Sequence, residues 1–474
     1  MNCSKIFDLA IIGSGIGGSL LASLNQDKRT ILFEKDSHVG GCASTFKRFG
    51  NSYNTAATTF VGYENGHIIK KMFDSLCFIP NLKQSSMAMR VIQENTIIDR
   101  TQNFETFLEQ INNNYPNPHN QEFWETVKEI DEKFWKLKHF YYSKKSLLSY
   151  AKTALFVVEL LKTYKGVLFK SAKGFIADTL GEISNEYKDF INAQLLITVQ
   201  SSYEKIPLLS MALGLAYPFH KVYYIKGGMG NLIEELLANV NVHTKEEVLN
   251  IYKDKKFYRI TTSKKEYCAY SVVLNSTVYD SHNLFTQKEI LSYYKKFAFN
   301  DQSAFMVYLT LDSQEEFLHH YQILLTKKIP NTISNSFFIS FSDKQDALLS
   351  KNGYSITISC HTKASFWENL NPIEYAQKKE HTEAFIVEEF LNHFKMLTPQ
   401  NIVNCFSGTA KTFKHYALRS NCGGNKLFFS NFFKLPTTST PFKGLYNIGD
   451  TVFSGQGWPG IALGVDVLNK ELNE

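Results

Sequence analysis

The stretch that decides the fold is D8-LAIIGSGIGGSLLASLNQDKRTILF-E34. An apolar run, Leu9 to Ile12, flows into Gly13-Ser14-Gly15-Ile16-Gly17-Gly18. A short helical pattern follows, closed by a compact turn at Asn25 to Arg29, and then a second apolar run, Thr30 to Phe33, ending at Glu34. Strand, glycine loop, helix, strand and acid stand in the order of a dinucleotide site. Gly13 permits the tight turn, Gly15 lets backbone approach a pyrophosphate, and Gly18 lets helix and strand pack closely. The N–H groups at the helix start face the phosphates, where the helix dipole favours negative charge. Glu34 is placed to accept hydrogen bonds from an adenosine ribose, with Lys35 beside it.

Working outward, K35-DSHVGGCAST-F46 breaks the chain at Gly40-Gly41 and offers small polar groups from Cys42 to Thr45. Residues 64 to 220 read mainly as helix, with three- and four-residue apolar spacing over Phe104 to Asn113 and Phe123 to Phe140 and with Pro116 and Pro118 between them. Ala151 to Lys170 is apolar over a wide face, with Lys152, Lys162, Lys165 and Lys170 elsewhere. It is the best candidate for peripheral membrane contact. Tyr223 to Leu237 reads as strand, glycine turn and helix. Strands are expected over Val242 to Val248, Phe257 to Ser263, Tyr267 to Ser276, Ser303 to Leu311, Ser336 to Phe341 and Tyr354 to His361. A long helix is expected from Ile373 to Phe394. The chain ends in a short strand, Leu445 to Ile448, then Gly449-Asp450, Gly455, Gly457-Trp458-Pro459-Gly460 and a final helix.

The expected class is α/β: a discontinuous Rossmann-type dinucleotide-binding domain with an inserted substrate domain of mixed sheet and helix. The expected division is 1–90, 223–290 and 441–474 for the nucleotide domain, 91–222 for a helical substrate or cap region, and 291–440 for the substrate sheet and helix. The chain has 474 residues, 44% hydrophobic and 20% charged, which suffices for a large core. Its net charge of +6 is small and scattered, so nucleic acid is not an expected partner. Seven well-separated cysteines without a C-x-x-C pair read as free thiols of a reducing cytosol. No signal peptide or transmembrane span is expected, because the first strand begins by about Ile6 and no long uncharged apolar run occurs. The histidines read as structural: no pair has ligand spacing with carboxylates, and no metal site is expected.

Five segments carry a family resemblance: IIGSGIGG (11–18), FEKDSHVGGCASTF (33–46), YYIKGGMGNLIEELL (223–237), VVLNSTVYD (272–280) and GLYNIGDTVFSGQGWPG (444–460). SAFMVYLTL and GTAKTFKHYALR add to them. In this order they resemble the FAD-dependent phytoene desaturase and carotenoid isomerase family, which includes retinol saturases and lies within the amine-oxidase-like flavoproteins. The resemblance implies FAD and a long apolar isoprenoid or polyene substrate that is desaturated, isomerised or saturated. It implies Gly13, Gly15 and Gly18 at the pyrophosphate, Glu34 at the adenosine ribose and Val248 at adenine. Gly41 and Thr45 would run beside the phosphates and ribityl chain, Gly449 and Asp450 would meet the same region, and Gly457, Trp458 and Ile461 would lie near the isoalloxazine. One departure stands out. Where the family commonly has F-D-x-G, this chain has Tyr53-Asn54-Thr55-Ala56, which removes a carboxylate and the freedom for positive φ. Two further classes share the fold: an oxidase of soluble amines or amino acids, and a non-catalytic prenyl-lipid binding module of the GDP-dissociation-inhibitor type.

Overall fold

The computed structural model describes residues 6–473 apart from 57, 144, 352, 432–433 and 454. The two apolar runs of the opening stretch form parallel strands, Ile6–Ile12 and Thr30–Phe33, at the centre of a seven-stranded sheet. Val242–His243 extends the sheet beyond Thr30–Phe33. On the other side Ile6–Ile12 pairs in parallel with Glu266–Leu274, which pairs in parallel with Leu445–Asn447 and antiparallel with Tyr258–Thr262. Val248–Lys253 closes that edge. The strand expected from Val242 to Val248 is therefore two strands, divided where Lys245 takes a φ of 53°.

Period-two alternation sorts this sheet's side chains onto two faces. Leu9, Ile11, Leu32 and Val273 pack under the helices Ile16–Leu24, Gly228–Leu236 and Gly457–Asn473. Ala10, Ile12, Ile31, Phe33, Val272 and Leu274 pack with the antiparallel strands and the helix Lys288–Lys295. Both faces are covered, which is why these strands read as continuous apolar runs rather than as alternation.

A second seven-stranded sheet runs in the order Ile402–Gly408, Gln302–Leu311, Tyr354–Lys363, Ser336–Phe341, His320–Leu324, Met89–Gln93, Thr96–Arg100. Phe305, Val307, Leu309 and Leu311 point to the long helix Pro372–His393, against Ile386 and Phe390. Met306 and Tyr308 point the other way, onto the hairpin Thr45–Arg48/Asn51–Asn54. The mainly helical reading of residues 64 to 220 fails at one end: Leu82–Gln84, Met89–Gln93 and Thr96–Arg100 are strands, and helix dominates only from Phe104 onward. Met89–Gln93 finds its parallel partner in His320–Leu324, more than two hundred residues later.

The helical region has its own core around Phe107, Phe123, Trp124, Phe190 and Leu215. Its helix Leu147–Tyr164 leaves a broad apolar face uncovered: Leu147, Leu148, Leu155, Val158 and Leu161 are all exposed. No described helix is long and apolar enough to cross a membrane. The free-thiol reading needs a correction, because Cys268 is disulfide-bonded, while Cys42, Cys77, Cys360, Cys405 and Cys422 are free.

Candidate functional site

From Ile6–Ile12 the chain passes to Thr30–Phe33 on one side, whereas the adjacent parallel strand Glu266–Leu274 has its next parallel partner, Leu445–Asn447, on the other, so the order diverges between these two strands at their carboxyl ends. That is the crevice in which open α/β sheets bind ligands. Gly13 turns the chain there with φ 98°. A Cβ on Gly18 would stand 2.1 Å from the Gly13 carbonyl oxygen, so helix and strand approach as closely as the spacing predicted. Gly15 caps the helix Ile16–Leu24 and bridges to Gly40, while Gly41 (φ 57°) brings its own main chain against Gly15.

Glu34 lies at the end of the second strand and turns its carboxylate to the glycine loop. Its Oε2 accepts from the Ser14 N–H at 3.0 Å and from Ser14 Oγ at 2.5 Å, and its Oε1 accepts from the Asp36 N–H at 3.0 Å. Ser14 Oγ in turn accepts from the Gly40 N–H at 3.0 Å, which ties the acid, the first loop and the second loop together. Lys35 reaches across to the His415 carbonyl at 3.4 Å. Val248 opens the strand after Glu246, whose N–H donates to the Glu34 carbonyl at 3.0 Å.

The carboxy-terminal segment arrives at the same point. Gly449 takes φ 107°, and Gly17 is hemmed by Asn275, Ile461 and the Gly449 N–H. Gly457 (φ 75°) opens the last helix. The Trp458 indole is buried edge-on to Phe60, with ring centroids 5.0 Å apart. Asp450 is held by Arg419 through two hydrogen bonds, 3.1 and 2.9 Å. The paired charges keep the Arg419 guanidinium pKa well above its ordinary value despite burial. The Cys42 thiol, hydrogen-bonded by Cys422 and close to Arg419, is pulled down to about 7.

Thr45 and Asn54 have a local task. Asn54 Oδ1 accepts from the Met229 N–H at 2.8 Å, and Thr45 Oγ1 accepts from the Gly230 N–H at 2.9 Å. Together they cap the helix Gly228–Leu236, whose first turn has no capping side chain of its own. The departure at Asn54 thus leaves an acceptor oxygen in place. Ala56 is not among the residues with positive φ, so the loop does not need a glycine there.

Sequence reasoning missed Asn275 and Arg419. Asn275 follows the strand Glu266–Leu274, donates from Nδ2 to the Gly13 carbonyl at 3.1 Å, and lies against Gly15, Gly17, Gly18 and Gly449. Its signal was its place, the first residue after a buried strand. It also missed a cluster away from the cradle. Glu64 and His67 stand three apart, and the fold brings His220 to them. The expectation that no pair of histidines is placed with carboxylates as ligands would be is thereby corrected: His67 and His220 meet at Glu64.

A profile for an NAD(P)-binding Rossmann-like domain matches residues 11–76. The chain is 22% identical to prolycopene isomerase 2 of an Oncidium hybrid cultivar, over 95% of this chain and 81% of that protein. It is 21% identical to the prolycopene isomerase of Arabidopsis thaliana, over 96% and 80%. Among solved structures, an oxidoreductase from Methanosarcina mazei superposes with a TM-score of 0.64 at 18% identity, covering 98% of this chain and 100% of its own. Cyclohexylamine oxidase from Brevibacterium oxydans superposes with a TM-score of 0.59 at 14% identity, covering 99% and 100%. The similarity to the prolycopene isomerases runs from end to end, the Rossmann-like match covers the glycine loops around which the crevice is built, and the chain shares its fold with these oxidoreductases.

Proposed function

We propose that the chain binds FAD in this crevice and isomerises double bonds of a long apolar polyene. The observation that carries the cofactor reading is the cradle: Gly13, Gly15, Gly17, Gly18 and Gly449 lie against Asn275, most tightly at Gly17 and Gly18, Gly41 lies against Gly15, and the Glu34 carboxylate is bonded to the loop at Ser14. That geometry fits a pyrophosphate on the loop amides, an adenosine ribose on Glu34 and adenine by Val248, with Lys35 at the adenosine end. Thr45 and Asp450 would border the phosphate and ribityl region, and Gly457, Trp458 and Ile461 would border the isoalloxazine. Bound FAD would supply hydride or electron exchange at its N5 edge. The chain's own part is to hold that edge, keep water out and receive the polyene. Phe46, Tyr53, Tyr308 and Phe406 pack together between hairpin and second sheet and hold the hairpin that carries Thr45. Isomerisation is preferred over desaturation and saturation because the full-length relatives are named as prolycopene isomerases.

The test begins with a visible spectrum of the purified protein before and after anaerobic dithionite. Bands near ~450 nm that bleach are expected for a redox-active flavin. Oxidised and reduced enzyme are then incubated with a poly-cis polyene and the products separated by chromatography. A product of unchanged mass and shifted spectrum supports isomerisation, whereas loss of two hydrogens assigns desaturation. A colourless protein that cannot be loaded with FAD sinks the reading.

We also propose that the helix Leu147–Tyr164 lays its apolar face on a lipid surface, from which such a substrate would come. Lys162 lies on the exposed side of this helix and Lys165 and Lys170 follow it, matching anionic headgroups. Cosedimentation with anionic but not zwitterionic vesicles is the expected result.

A further inference from the structure

A small three-stranded sheet fixes a cluster that shares no residue with the nucleotide cradle. Phe60–Val61 pairs antiparallel with Val222–Ile225, placing Phe60 opposite Tyr223 and Val61 opposite Val222. The chain leaving Val61 therefore runs beside the chain entering Val222, and Glu64 meets His220. His67, immediately before the helix Ile68–Ser75, completes the group.

His220 Nδ1 is 2.9 Å from Glu64 Oε1, and His67 Nε2 is 3.7 Å from the same oxygen. One donor atom from each residue lies within 4.8 Å of the others. A zinc ion bound tetrahedrally by nitrogen and oxygen separates its ligand atoms by about 3.3 Å, and the observed distances straddle that value. His220 turns its other nitrogen to the Asp131 carboxylate, a close hydrogen bond, and Asp131 is itself buried and held by the Trp135 indole N–H at 3.1 Å. A carboxylate on the far nitrogen is the usual support for a metal-binding histidine, because it fixes the ring's tautomer and orientation.

His67 strengthens the case. It is 6% exposed, lies against Trp135 with ring centroids 4.5 Å apart, and its ring takes part in no hydrogen bond among the described residues. Packing alone does not require an imidazole there. The charge count points the same way. Glu64 and Asp131 bring two carboxylates, His220 brings at most one positive charge, and the further cation facing the cluster, Lys71, is exposed. A divalent cation taking the place of the ring proton on Nδ1 balances both carboxylates. The donor set of two imidazoles and one carboxylate suits zinc-class ions rather than calcium or magnesium, which prefer all-oxygen sites.

We propose that Glu64, His67 and His220 form a binding site for one zinc-class divalent metal ion, with Asp131 as the outer carboxylate. Since Asp131 belongs to the helix Asn120–Trp135, the ion ties the helical region to the edge of the nucleotide-binding part. The assignment is independent of the flavin reading.

The test uses the full chain, stripped with a chelator, dialysed, and titrated with zinc against a chromophoric chelator, with bound metal counted by plasma mass spectrometry. One zinc per chain is expected. Glu64→Gln and His67→Asn should weaken binding at least about a hundredfold, and Asp131→Asn by about 10- to 100-fold. His415→Asn should leave it unchanged. Zinc should raise the melting temperature of the wild-type protein and not that of Glu64→Gln. Should the variants fail to fold, carbethoxylation of wild-type protein mapped by mass spectrometry still decides: bound zinc should protect His67 and His220. Absence of saturable binding of both zinc and cobalt, full affinity in the folded variants, or unprotected histidines would each overturn the assignment.

Discussion

A methyl group on Gly18 has nowhere to go. It would stand 2.1 Å from a backbone oxygen and 3.0 Å from the Asn275 amide, and neither belongs to a side chain that can swing far away. Overpacking of this kind costs about 1–3 kcal/mol, and here the displaced atoms line the cradle. Gly18→Ala is expected to lower FAD retention at least about tenfold, read as the ratio of flavin to protein absorbance. Asn54 makes the opposite prediction, tolerance to a change of chemistry. Its Oδ1 serves as an acceptor for the Met229 N–H, and an aspartate offers the same oxygen plus a charge favoured at a helix start. Asn54→Asp should melt within a degree or so of wild type, while Asn54→Leu should lose about 1–2 kcal/mol in urea unfolding. Cys42 gives a pH test. Its thiolate is stabilised by the hydrogen bond from Cys422 and then by Arg419, so the reactive form accumulates as pH rises through about 7. Alkylation of Cys42 should therefore reach half its maximal rate near pH 7, below the value of about 8.5 for a free thiol. Arg419→Met should move that midpoint upward. Cys360, whose thiol burial pushes up, should stay unreactive throughout.

At the scale of elements, local chemistry and partner distance separate what sequence reveals from what it hides. The strands Ile6–Ile12 and Thr30–Phe33 and the helix Ile16–Leu24 were legible almost to the residue, because glycine, helix periodicity and acid lie within thirty positions. Met89–Gln93 and Thr96–Arg100 were hidden. Their alternation is short, and the partner that makes Met89–Gln93 part of a large sheet is His320–Leu324, itself unread because it is buried on both faces. The site divides in the same way. Gly13, Gly18 and Glu34 announce themselves by spacing, whereas Asn275, Arg419 and the meeting of His220 with Glu64 depend on contacts between distant segments. The helix Leu147–Tyr164 was visible as amphipathic, but only the fold shows that its apolar side is left uncovered. Changing Leu155, Val158 and Leu161 together to glutamate removes three insertions worth roughly 1.5–3 kcal/mol each when fully buried. Vesicle binding should fall more than tenfold, with the far-ultraviolet circular dichroism little changed because all three side chains are exposed on the helix.

At the scale of the molecule, the nucleotide-binding sheet is assembled from segments that are distant in sequence. Thr30–Phe33 and Ile6–Ile12 come from the start, Val242–His243 and Glu266–Leu274 from the middle, and Leu445–Asn447 from the end. The crevice draws Gly13, Asn275 and Gly449 from three of those segments. A dinucleotide seated there binds the folded arrangement and not the unfolded chain, which lacks the cradle, so occupancy adds stability by mass action. At a free FAD concentration one hundred times its dissociation constant the gain is about 2.7 kcal/mol. Thermal unfolding of flavin-free protein should therefore shift upward by some degrees on adding FAD, and the shift should grow with the logarithm of FAD concentration. At the same FAD concentration Gly18→Ala should show about half of the gain or less. Removal of residues 441–474 should abolish it altogether, because that segment supplies Gly449, the strand Leu445–Asn447 and the helix whose Ile461 closes on Gly17. A melt insensitive to FAD in the wild-type protein would mean that the three segments form their sheet without forming a cofactor site, and the glycines would then be left with packing as their sole reason.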